Sequence, residues 1–318
     1  MAKVAVTGGA GFVGTNLVRA LLRDNHEVTI IDDFSTGLES NVIGLDCHIS
    51  AISLADLQKV RSTLRGIEYI FHLGARGSVP RSIKNPVATM DVNVIGTLNV
   101  LESARSTGAT VAFSSSSSVY GSNLKLPKNE KMWMGPLTPY AASKLSGEAL
   151  VQSYASSYGI PAITYRFFNI FGPWQRPDHD YAAVIPKWIW KLIHGQRIEV
   201  LGDGLQSRDF TFIDTVVDVL VQGMNSKINH PQPVNLAFGS RISLNECIEV
   251  LRTLFPDLAV VHLPERVGDV RNSQNDPTLI KSLFPTVNPV KFSVGIEQTH
   301  RWFTEFGFKI ANGPRVVE

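Results

Sequence analysis

Short apolar runs and longer amphipathic stretches alternate through the first half of the chain. The runs are rich in β-branched residues and have the length of strands, whereas the longer stretches repeat apolar residues at the 3.6-residue period of a helix. This alternation predicts a doubly wound α/β fold, with a parallel sheet covered by helices on both faces. The predicted strands are 3–8, 27–32, 67–74, 110–115 and 163–169, and the clearest helices are 14–24 and 91–108.

The alternation weakens after Phe171. A loop rich in proline and aspartate, 172–180, leads to a helical stretch at 185–195, and short mixed elements follow it. We therefore predict a second, smaller domain in the C-terminal half. The predicted boundaries are 1–170 for the first domain, with 209–238 returning to it, and 171–208 and 239–318 for the smaller one.

Composition narrows the class of protein. The 318 residues are 44% hydrophobic and 18% charged, which is enough apolar material for a large core. The formal net charge of +2 favours neither a nucleic acid nor a membrane as partner. Cys47 and Cys247 fit no disulfide framework and no zinc pattern, so no metal site is predicted. Because the N-terminus enters a strand at once and no apolar run could span a bilayer, we expect a cytoplasmic protein.

A glycine-rich turn, TGGAGFVG, follows the first predicted strand and places glycines at Gly8, Gly11 and Gly14. A tight turn, close backbone approach to a diphosphate and close helix–strand packing each favour glycine. Asp32 ends the next strand 18 residues after Gly14, where a carboxylate accepts hydrogen bonds from ribose hydroxyls. With Asp33 beside it and no arginine nearby in sequence, the motif predicts NAD rather than NADP in a Rossmann-type domain.

A second motif, YAASK, begins a predicted helix and puts Tyr140 and Lys144 on one helix face. A phenol is a poor base at its ordinary pKa near 10, and a neighbouring ammonium lowers that pKa by favouring the phenolate. Taken alone, the pair is equally typical of a buried tyrosine and a solvated lysine. Together with the glycine-rich turn in the same chain, the pair is a more specific indication of a catalytic site.

Eight motifs in order resemble the extended short-chain dehydrogenase/reductase family, specifically its nucleotide-sugar 4-epimerases. They are TGGAGFVG, HLGARGSVPRS, SSSVYG, YAASK, FFNIFGPWQ, YAAVIPKW, GDGLQSRDFTFID and GDVRNSQND. GSVPRS, YAAVIPKW and DVRNSQ are most similar to members that interconvert UDP-N-acetylglucosamine and UDP-N-acetylgalactosamine. The resemblance covers nearly the whole chain. It implies tightly bound NAD, a 4-keto sugar intermediate, a substrate-binding smaller domain and a homodimer that pairs helices 91–107 and 140–158.

The five serines of FSSSSSVYG are typical of a linker when taken out of context. Here they end a predicted strand, and the family's catalytic Ser/Thr lies four residues before Tyr120, at Ser116. Related dehydratases carry an Asp-Glu pair, and related decarboxylases a Glu, where this chain has Ser117 and Ser118. The resemblance therefore implies epimerisation. The implied catalytic residues are Ser116, as a proton relay, Tyr140, as the base, and Lys144.

The resemblance also implies the binding residues. Arg208 and Arg266 are expected on the diphosphate of the sugar nucleotide, and Asp269 on its ribose. Ser273 stands where glucose-restricted epimerases have a bulky aromatic, which leaves room for an acetamido group. The further expected substrate contacts are Ser78, Ser116, Ser117, Ser118, Asn169, Gln175, Ala183 and Val184. The expected NAD contacts are Gly8, Gly11, Phe12, Val13, Gly14, Asp32, Asp33, Leu73, Gly74, Ala75, Asn93, Ser114, Tyr140 and Lys144.

Several alternatives stay open at this stage. UDP-glucose, a UDP-uronic acid or a dTDP-sugar are other candidate substrates. A dehydratase or decarboxylase and a catalytically silent NAD-binding sensor are other candidate functions. The family usually places an aspartate near adenine where this chain has Ser50-Ala51, and Arg76 in HLGAR has no explanation from the sequence.

Overall fold

The computed structural model of the chain describes residues 1–178, 182–265 and 271–307. Its strands are β1 (Lys3–Thr7), β2 (Glu27–Ile31), β3 (His48–Ser50), β4 (Tyr69–His72), β5 (Thr110–Ser116), β6 (Ala162–Phe167), β7 (Asn169–Phe171), β8 (Ile198–Leu201), β9 (Ser207–Arg208), β10 (Phe210–Phe212), β11 (Val234–Leu236), β12 (Ile242–Ser243) and β13 (Val260–Leu263). Its α-helices are α1 (Phe12–Arg23), α2 (Leu57–Thr63), α3 (Val79–Lys84), α4 (Pro86–Met90), α5 (Gly96–Thr107), α6 (Pro139–Tyr158), α7 (Val184–Ile193), α8 (Ile213–Asn225), α9 (Leu244–Arg252), α10 (Thr278–Leu283) and α11 (Phe292–Glu305). Two 3₁₀ turns, Glu39–Asn41 and Ser117–Tyr120, and a π-helical segment, Asp91–Ile95, lie between them.

Seven strands form one parallel sheet in the order β11-β6-β5-β4-β1-β2-β3. The chain starts at β1 in the middle, moves outward to β3, and then returns to β4 on the other side of β1. Right-handed crossovers therefore place the helices of the two halves on opposite faces. The predicted Rossmann-type doubly wound α/β fold is confirmed.

Alternate residues along the central strands face the two helical layers. Ala5 and Ile31 belong to a fully buried apolar cluster that includes side chains of α2, α5 and α6. Val6 and Ile30 are also fully buried but lie outside that cluster, on the side where α1 contacts β1 and β2. Strands buried on both faces read as continuous apolar runs, which is why they were recognisable in the sequence.

The chain divides into two compact units. The first consists of Met1–Leu124, Glu130–Phe167 and Val217–Leu236, and the second of Lys125–Asn129, Phe168–Val216 and the residues from Ala237 onward. The segment predicted to return to the first domain, 209–238, encloses Val217–Leu236. In the second unit, β7 pairs with β10 and β8 with β13 in parallel, and β9 pairs with β12 antiparallel.

A buried ion pair ties α6 to the sheet. Glu148 on α6 accepts two hydrogen bonds from the Arg166 guanidinium on β6, at 2.8 Å to Nε and 2.7 Å to Nη2. Arg166 also donates to the hydroxyl of Tyr120, 2.9 Å away, and that hydroxyl donates to Asn235 on β11. Burial opposes the charge on Arg166, but the hydrogen bonds and charge of Glu148 outweigh it and raise the pKa of the guanidinium. The pair and its neighbours thus link two strands, a helix and the 3₁₀ turn after β5.

We expect Glu148→Gln to lower the free energy of unfolding by roughly 3–5 kcal/mol, because it leaves the Arg166 charge buried without its carboxylate. Urea unfolding at neutral pH measures this. The matched control is Glu249→Gln, which removes a carboxylate that is 74% exposed beside Arg252 and should cost about 1 kcal/mol or less. Equal losses in the two variants would contradict the role given to the buried pair.

Candidate active site

A cleft opens in the first unit at the carboxyl ends of β1 and β4, where the strand order reverses. Open parallel sheets bind ligands at such a point because the loops leaving the two strands diverge there. The apolar side chains of Ile52 and Leu54, just after β3, form part of its wall. The expected NAD contacts that line it are Gly8, Gly11, Asp32, Asp33, Leu73, Gly74 and Ala75.

Two glycines allow the tight turn at the floor of the cleft. Gly8 has φ +70°, and a Cβ there would lie 2.8 Å from both the backbone nitrogen and the Cα of Gly74. A Cβ on Gly14 would overlap the carbonyl oxygen of Gly8 and lie 2.7 Å from the Cα of Gly9. Helix α1 then begins after Gly11 without a side-chain cap, which leaves its first N–H groups free to bind a phosphate. Phe12, Val13 and Gly14 form this first turn.

Asp32 stands at the end of β2 in the cleft wall and is only 8% exposed. Its Oδ2 accepts from the Ala10 N–H at 3.0 Å and its Oδ1 from the Phe34 N–H at 2.9 Å. Burial raises the pKa of this carboxyl, and the two backbone hydrogen bonds oppose that rise. Asp33 instead accepts from the backbone N–H and hydroxyl of Ser35. Asp32 is therefore the carboxylate that backbone hydrogen bonds hold in place in the cleft wall.

His72, at the end of β4, lies beneath the cleft and is 1% exposed. Its Nε2 is 2.9 Å from the Thr97 hydroxyl, which donates to the carbonyl oxygen of Asn93 and so accepts from the ring. Its Nδ1, 2.8 Å from the Thr7 hydroxyl, then accepts a hydrogen bond. Burial, aided by the charge of Lys144, lowers the pKa of His72 to about 3. The network holds a neutral imidazole with its proton on Nε2.

Asn93, an expected NAD contact, lies in the π-helical segment before α5. Such segments often carry functional side chains. Its Oδ1 accepts from the Arg76 N–H at 2.7 Å, and its Nδ2 donates to the Ser143 hydroxyl at 2.9 Å. That hydroxyl donates to the carbonyl oxygen of Tyr140. Asn93 therefore joins the loop after β4 to the first turn of α6.

The three predicted catalytic residues come together at the end of β5. Ser116 is the last residue of that strand, and its hydroxyl is hydrogen-bonded to the phenol of Tyr140 in the first turn of α6. Lys144, one turn further along α6, donates from Nζ to the carbonyl oxygen of Ser114 at 2.8 Å. Ser114 in turn donates to the carbonyl oxygen of His72, 3.1 Å away. The expected NAD contact Ser114 thus anchors the lysine through its backbone.

Burial determines the protonation of this cluster. It lowers the pKa of Lys144 to about 7, although Glu148 opposes that change. It raises the pKa of Tyr140, and the hydrogen bond with Ser116 opposes that rise. The net effect on Tyr140 is a raised pKa, and the lowering expected from Lys144 stays a prediction. A buried phenol and a buried ammonium both lose solvation when they ionise, and desolvation is the larger effect here.

The two serines after Ser116 begin a 3₁₀ turn and supply no carboxylate. The Ser116 hydroxyl accepts from the Ser118 N–H at 3.2 Å, and the Ser118 hydroxyl is buried without a hydrogen-bond partner among the described residues. Glu148 accepts a hydrogen bond from Ser115, but it is engaged with Arg166. Serine hydroxyls, rather than an acid, flank Ser116.

In the second unit, three of the expected substrate residues lie around β9 and β10. The Asn169 N–H donates to the carbonyl oxygen of Asp209 at 3.3 Å. Arg208 donates from Nη1 to the carbonyl oxygen of Ser207 at 2.9 Å, and the Ser273 N–H donates to that same oxygen at 3.0 Å. The structure therefore brings Asn169, Arg208 and Ser273 into one neighbourhood.

The other expected substrate contacts are more scattered. Ser78, in the first unit, caps α3 by accepting from the Arg81 N–H at 3.3 Å. Gln175 donates to the carbonyl oxygen of Ile170, and its Oε1 is buried without a partner among the described residues. Ala183 and Val184 stand at the start of α7. Arg266 and Asp269 lie outside the described residues.

Sequence reasoning missed Asp209, which organises the second unit. It is fully buried, and its carboxylate accepts from the N–H groups of Asn275 and Gly239 and from the Ser240 hydroxyl, at 2.9–3.0 Å. Burial raises its pKa to about 6 against these hydrogen bonds. The QSRDF motif contained this aspartate, but only the neighbouring Arg208 was singled out. An aspartate directly before the largely apolar stretch FTFI was the signal available.

The chain belongs to the NAD dependent epimerase/dehydratase family, whose model matches residues 4–237. It is 33% identical over 311 residues to the UDP-glucose 4-epimerase of Mycolicibacterium smegmatis, covering 95% of this chain and 98% of that one. It is 32% identical to UDP-glucuronic acid decarboxylase 1 of Danio rerio, over 95% of this chain and 72% of that one. A solved structure of similar fold is the UDP-N-acetylglucosamine 4-epimerase of Methanobrevibacter ruminantium in complex with UDP-N-acetylmuramic acid. Its TM-score is 0.90 at 34% identity, over 95% of this chain and 98% of that chain.

NAD is the cofactor of this family, and the cleft fits it. The uncapped start of α1 suits a diphosphate, Asp32 suits a ribose, and the apolar wall at Ile52 and Leu54 suits a base. Among the described helices, none combines the length and apolar character needed to cross a bilayer. The described residues also contain no cluster of histidine, cysteine and carboxylate side chains arranged to hold a metal ion.

We expect acid to destabilise the protein through His72. Its pKa in the folded chain, about 3, lies below the ordinary 6.5, so the stability it contributes is present above pH 6.5 and is lost as the pH falls toward 3. Between pH 7 and pH 5 the wild type should lose about 2 kcal/mol more than His72→Gln, as measured by urea unfolding. His48→Gln, which changes an exposed histidine of β3, should keep the wild-type pH dependence. A His72→Gln protein with unchanged pH dependence would refute this account.

Proposed function

We propose that the chain is an NAD-dependent 4-epimerase of UDP-hexosamines, interconverting UDP-N-acetylglucosamine and UDP-N-acetylgalactosamine through a 4-keto sugar. The observation that carries this proposal is the cluster of Ser116, Tyr140 and Lys144 with serines, and no carboxylate, at 117 and 118. Such a cluster can exchange a proton at one sugar hydroxyl. It lacks the carboxylic acid and carboxylate base that loss of water or CO₂ from the sugar would need.

Each catalytic residue has a role that follows from its position. Tyr140 accepts the proton from the O4 hydroxyl of the sugar and later returns it. Ser116, hydrogen-bonded to that phenol, relays the proton and stabilises the phenolate as it forms. Lys144 is held by the carbonyl oxygen of Ser114 at the end of β5, where its ammonium can bind the ribose next to the nicotinamide. When bound, NAD supplies the oxidant that takes hydrogen from C4 and returns it to the other face.

The main competing activities are dehydration and decarboxylation, since the relatives of similar identity include a decarboxylase. Both need a carboxylate beside the catalytic serine, at the positions that Ser117 and Ser118 occupy. Glu148 offers no substitute because both of its oxygens accept hydrogen bonds from Arg166. A silent NAD-binding sensor is also disfavoured, because Tyr140 and Lys144 are both present.

The choice of sugar rests on small side chains at the expected pocket wall. Ser273 and Ala183, both in the second unit, are proposed to leave room for an acetamido group, and Gln175 of the same unit has a buried carbonyl oxygen that could accept from its N–H. UDP-glucose and UDP-uronic acids are the alternative substrates, because a roomy pocket also admits smaller groups. Arg208, Arg266, Asp269 and Asn169 are proposed to hold the nucleotide diphosphate and ribose.

The homodimer stays a prediction. Apolar side chains of α5, of α6 and of the π-helical segment before α5 are partly exposed. Ile95 at the end of that segment is 44% exposed, and Leu98 on α5 and Leu150 on α6 have intermediate exposure. A second copy could cover them, because pairing of two such helices from each chain would bury one continuous apolar face.

We expect the purified protein to release NAD on denaturation and to convert UDP-N-acetylglucosamine to UDP-N-acetylgalactosamine in proton NMR. Tyr140→Phe should keep its NAD but lose roughly 100- to 10,000-fold in kcat, because no phenol accepts the O4 proton. Tyr158→Phe, at the other, exposed end of the same helix, is the control and should turn over like the wild type. Loss of water or CO₂ from the sugar, or no turnover by NAD-loaded wild type on any of these UDP-sugars, would overturn the proposal.

A second prediction concerns the pocket wall. Ser273→Tyr should reduce kcat/KM for UDP-N-acetylglucosamine by roughly 100-fold or more, because the ring fills the space proposed for the acetamido group. Its kcat/KM for UDP-glucose should change little. Ser282→Tyr, on the exposed side of α10, is the matched control for adding a tyrosine to this unit. Equal losses for the two sugars in Ser273→Tyr would refute the steric argument.

A further inference from the structure

Arg76 lies in the loop that follows β4, at the point where the order of strands reverses. Its backbone is held on both sides by Asn93, which accepts from the Arg76 N–H at 2.7 Å and donates to the Arg76 carbonyl oxygen at 3.4 Å. The backbone of this residue is therefore fixed by the same asparagine that binds Ser143 on α6. Its side chain lines the cleft.

The guanidinium of Arg76 has no partner within the described part of the chain. Its Nε is buried and makes no hydrogen bond, and no described carboxylate forms an ion pair with it. The contrast is with Arg166, whose buried guanidinium is fully engaged by Glu148 and Tyr120. A buried donor on a permanent cation is costly when unpaired. An anionic ligand in the cleft would satisfy it.

The charges around the cleft favour this conclusion. Two carboxylates, Asp32 and Asp33, line it, and among its described lining residues Arg76 is the one with a positive side chain. A dinucleotide adds two negative charges at its diphosphate. The N-terminus of α1 offsets about half an elementary charge. Without a further cation, bringing the diphosphate into a cleft that holds two carboxylates would be unfavourable.

The position of Arg76 along the sheet indicates which part of the dinucleotide it meets. Asp32 directly follows β2 on one side, and Ser116 ends β5 on the other. Between them lie β1 and β4, whose following loops carry Gly8 and Arg76. A dinucleotide that reaches from a ribose at Asp32 to the reacting atoms at Ser116 has its diphosphate in the middle.

We propose that Arg76 binds the diphosphate of NAD, and that retention of the cofactor by this chain depends on it. The planar guanidinium can grip two phosphate oxygens at once, whereas the glycine-rich turn offers only backbone N–H groups. This assignment does not depend on which sugar the enzyme acts on. It gives a role to a residue that the sequence left unexplained.

The test is isothermal titration of NAD into protein from which the cofactor has been removed. Arg76→Gln should raise the dissociation constant for NAD roughly 10- to 100-fold, because it removes charge-assisted hydrogen bonds to phosphate. Arg76→Lys keeps the charge without the paired geometry and should lie between Arg76→Gln and wild type. Arg65→Gln removes one positive charge from an exposed position in the same unit and should bind NAD like the wild type.

Three further ligands show whether weaker NAD binding in Arg76→Gln comes from a lost contact with the diphosphate. ADP should lose affinity for Arg76→Gln by a factor similar to NAD, and adenosine, which has no phosphate, should lose none. An equal loss for adenosine would mean that Arg76 only supports the shape of the pocket, and the proposal would fail. Wild-type binding of NADP as tight as that of NAD, lost selectively in Arg76→Gln, would place the arginine on a 2′-phosphate and would also overturn it.

Thermal unfolding of the cofactor-free variants provides the control for folding. Arg76→Gln should unfold within a few degrees of the wild type without NAD, and the upward shift on adding NAD should be smaller than in the wild type. If Arg76→Gln does not fold, Arg76→Lys carries the test. Wild-type affinity of Arg76→Lys for NAD would then refute the paired grip on the diphosphate that the assignment requires.

Discussion

The close approach of the turn after β1 to the loop after β4 is the constraint on which the candidate site depends. Gly8 sits at φ +70° against the backbone of Gly74, and Gly14 packs on the carbonyl of Gly8, so neither position has room for a side chain. Helix α1 begins directly after this turn, and its N-terminus has no side-chain cap. The loop after β4 that makes the contact also carries Arg76. A larger residue at Gly8 would push the turn after β1 away from the loop after β4, and one at Gly14 would push α1 away from Gly8.

Burial gives the polar groups around this floor their chemical character. His72 is neutral because it is buried, and the Thr97 hydroxyl, which donates to Asn93, keeps the ring proton on Nε2. Lys144 has a pKa of about 7, and the pKa of Tyr140 is raised, so both groups resist ionisation more strongly than they would in water. Glu148 accepts a hydrogen bond from Ser115 in the serine tract, yet its charge is paired with that of Arg166. Among the described residues, the surroundings of Ser116 therefore offer hydroxyl groups, and the nearby carboxylate of Glu148 is already engaged.

Much of the fold and part of the site could be predicted because they depend on local patterns. Apolar runs predicted the positions of the strands in the sheet, because a strand buried on both faces is apolar throughout. Counting from Tyr120 placed Ser116 at the end of β5, beside Tyr140. The rise in the pKa of Tyr140 could not be predicted, because spacing along a helix says nothing about loss of solvent. Asp209 was missed because its three donors come from segments 30 to 66 residues away in sequence.

The sequence by itself determined the alternation of strands and helices, the glycines of the turn, the serines in place of a carboxylate, and the pairing of Tyr140 with Lys144 on one helix face. These are properties of residue type and short spacing, and they hold wherever the segment lies. Only the tertiary structure decided which ionisable groups are paired. It gave Glu148 a partner in Arg166 and left the Nε of Arg76 without one in the described chain. Pairing and desolvation depend on which distant segments pack together, and they set the charge that each group carries.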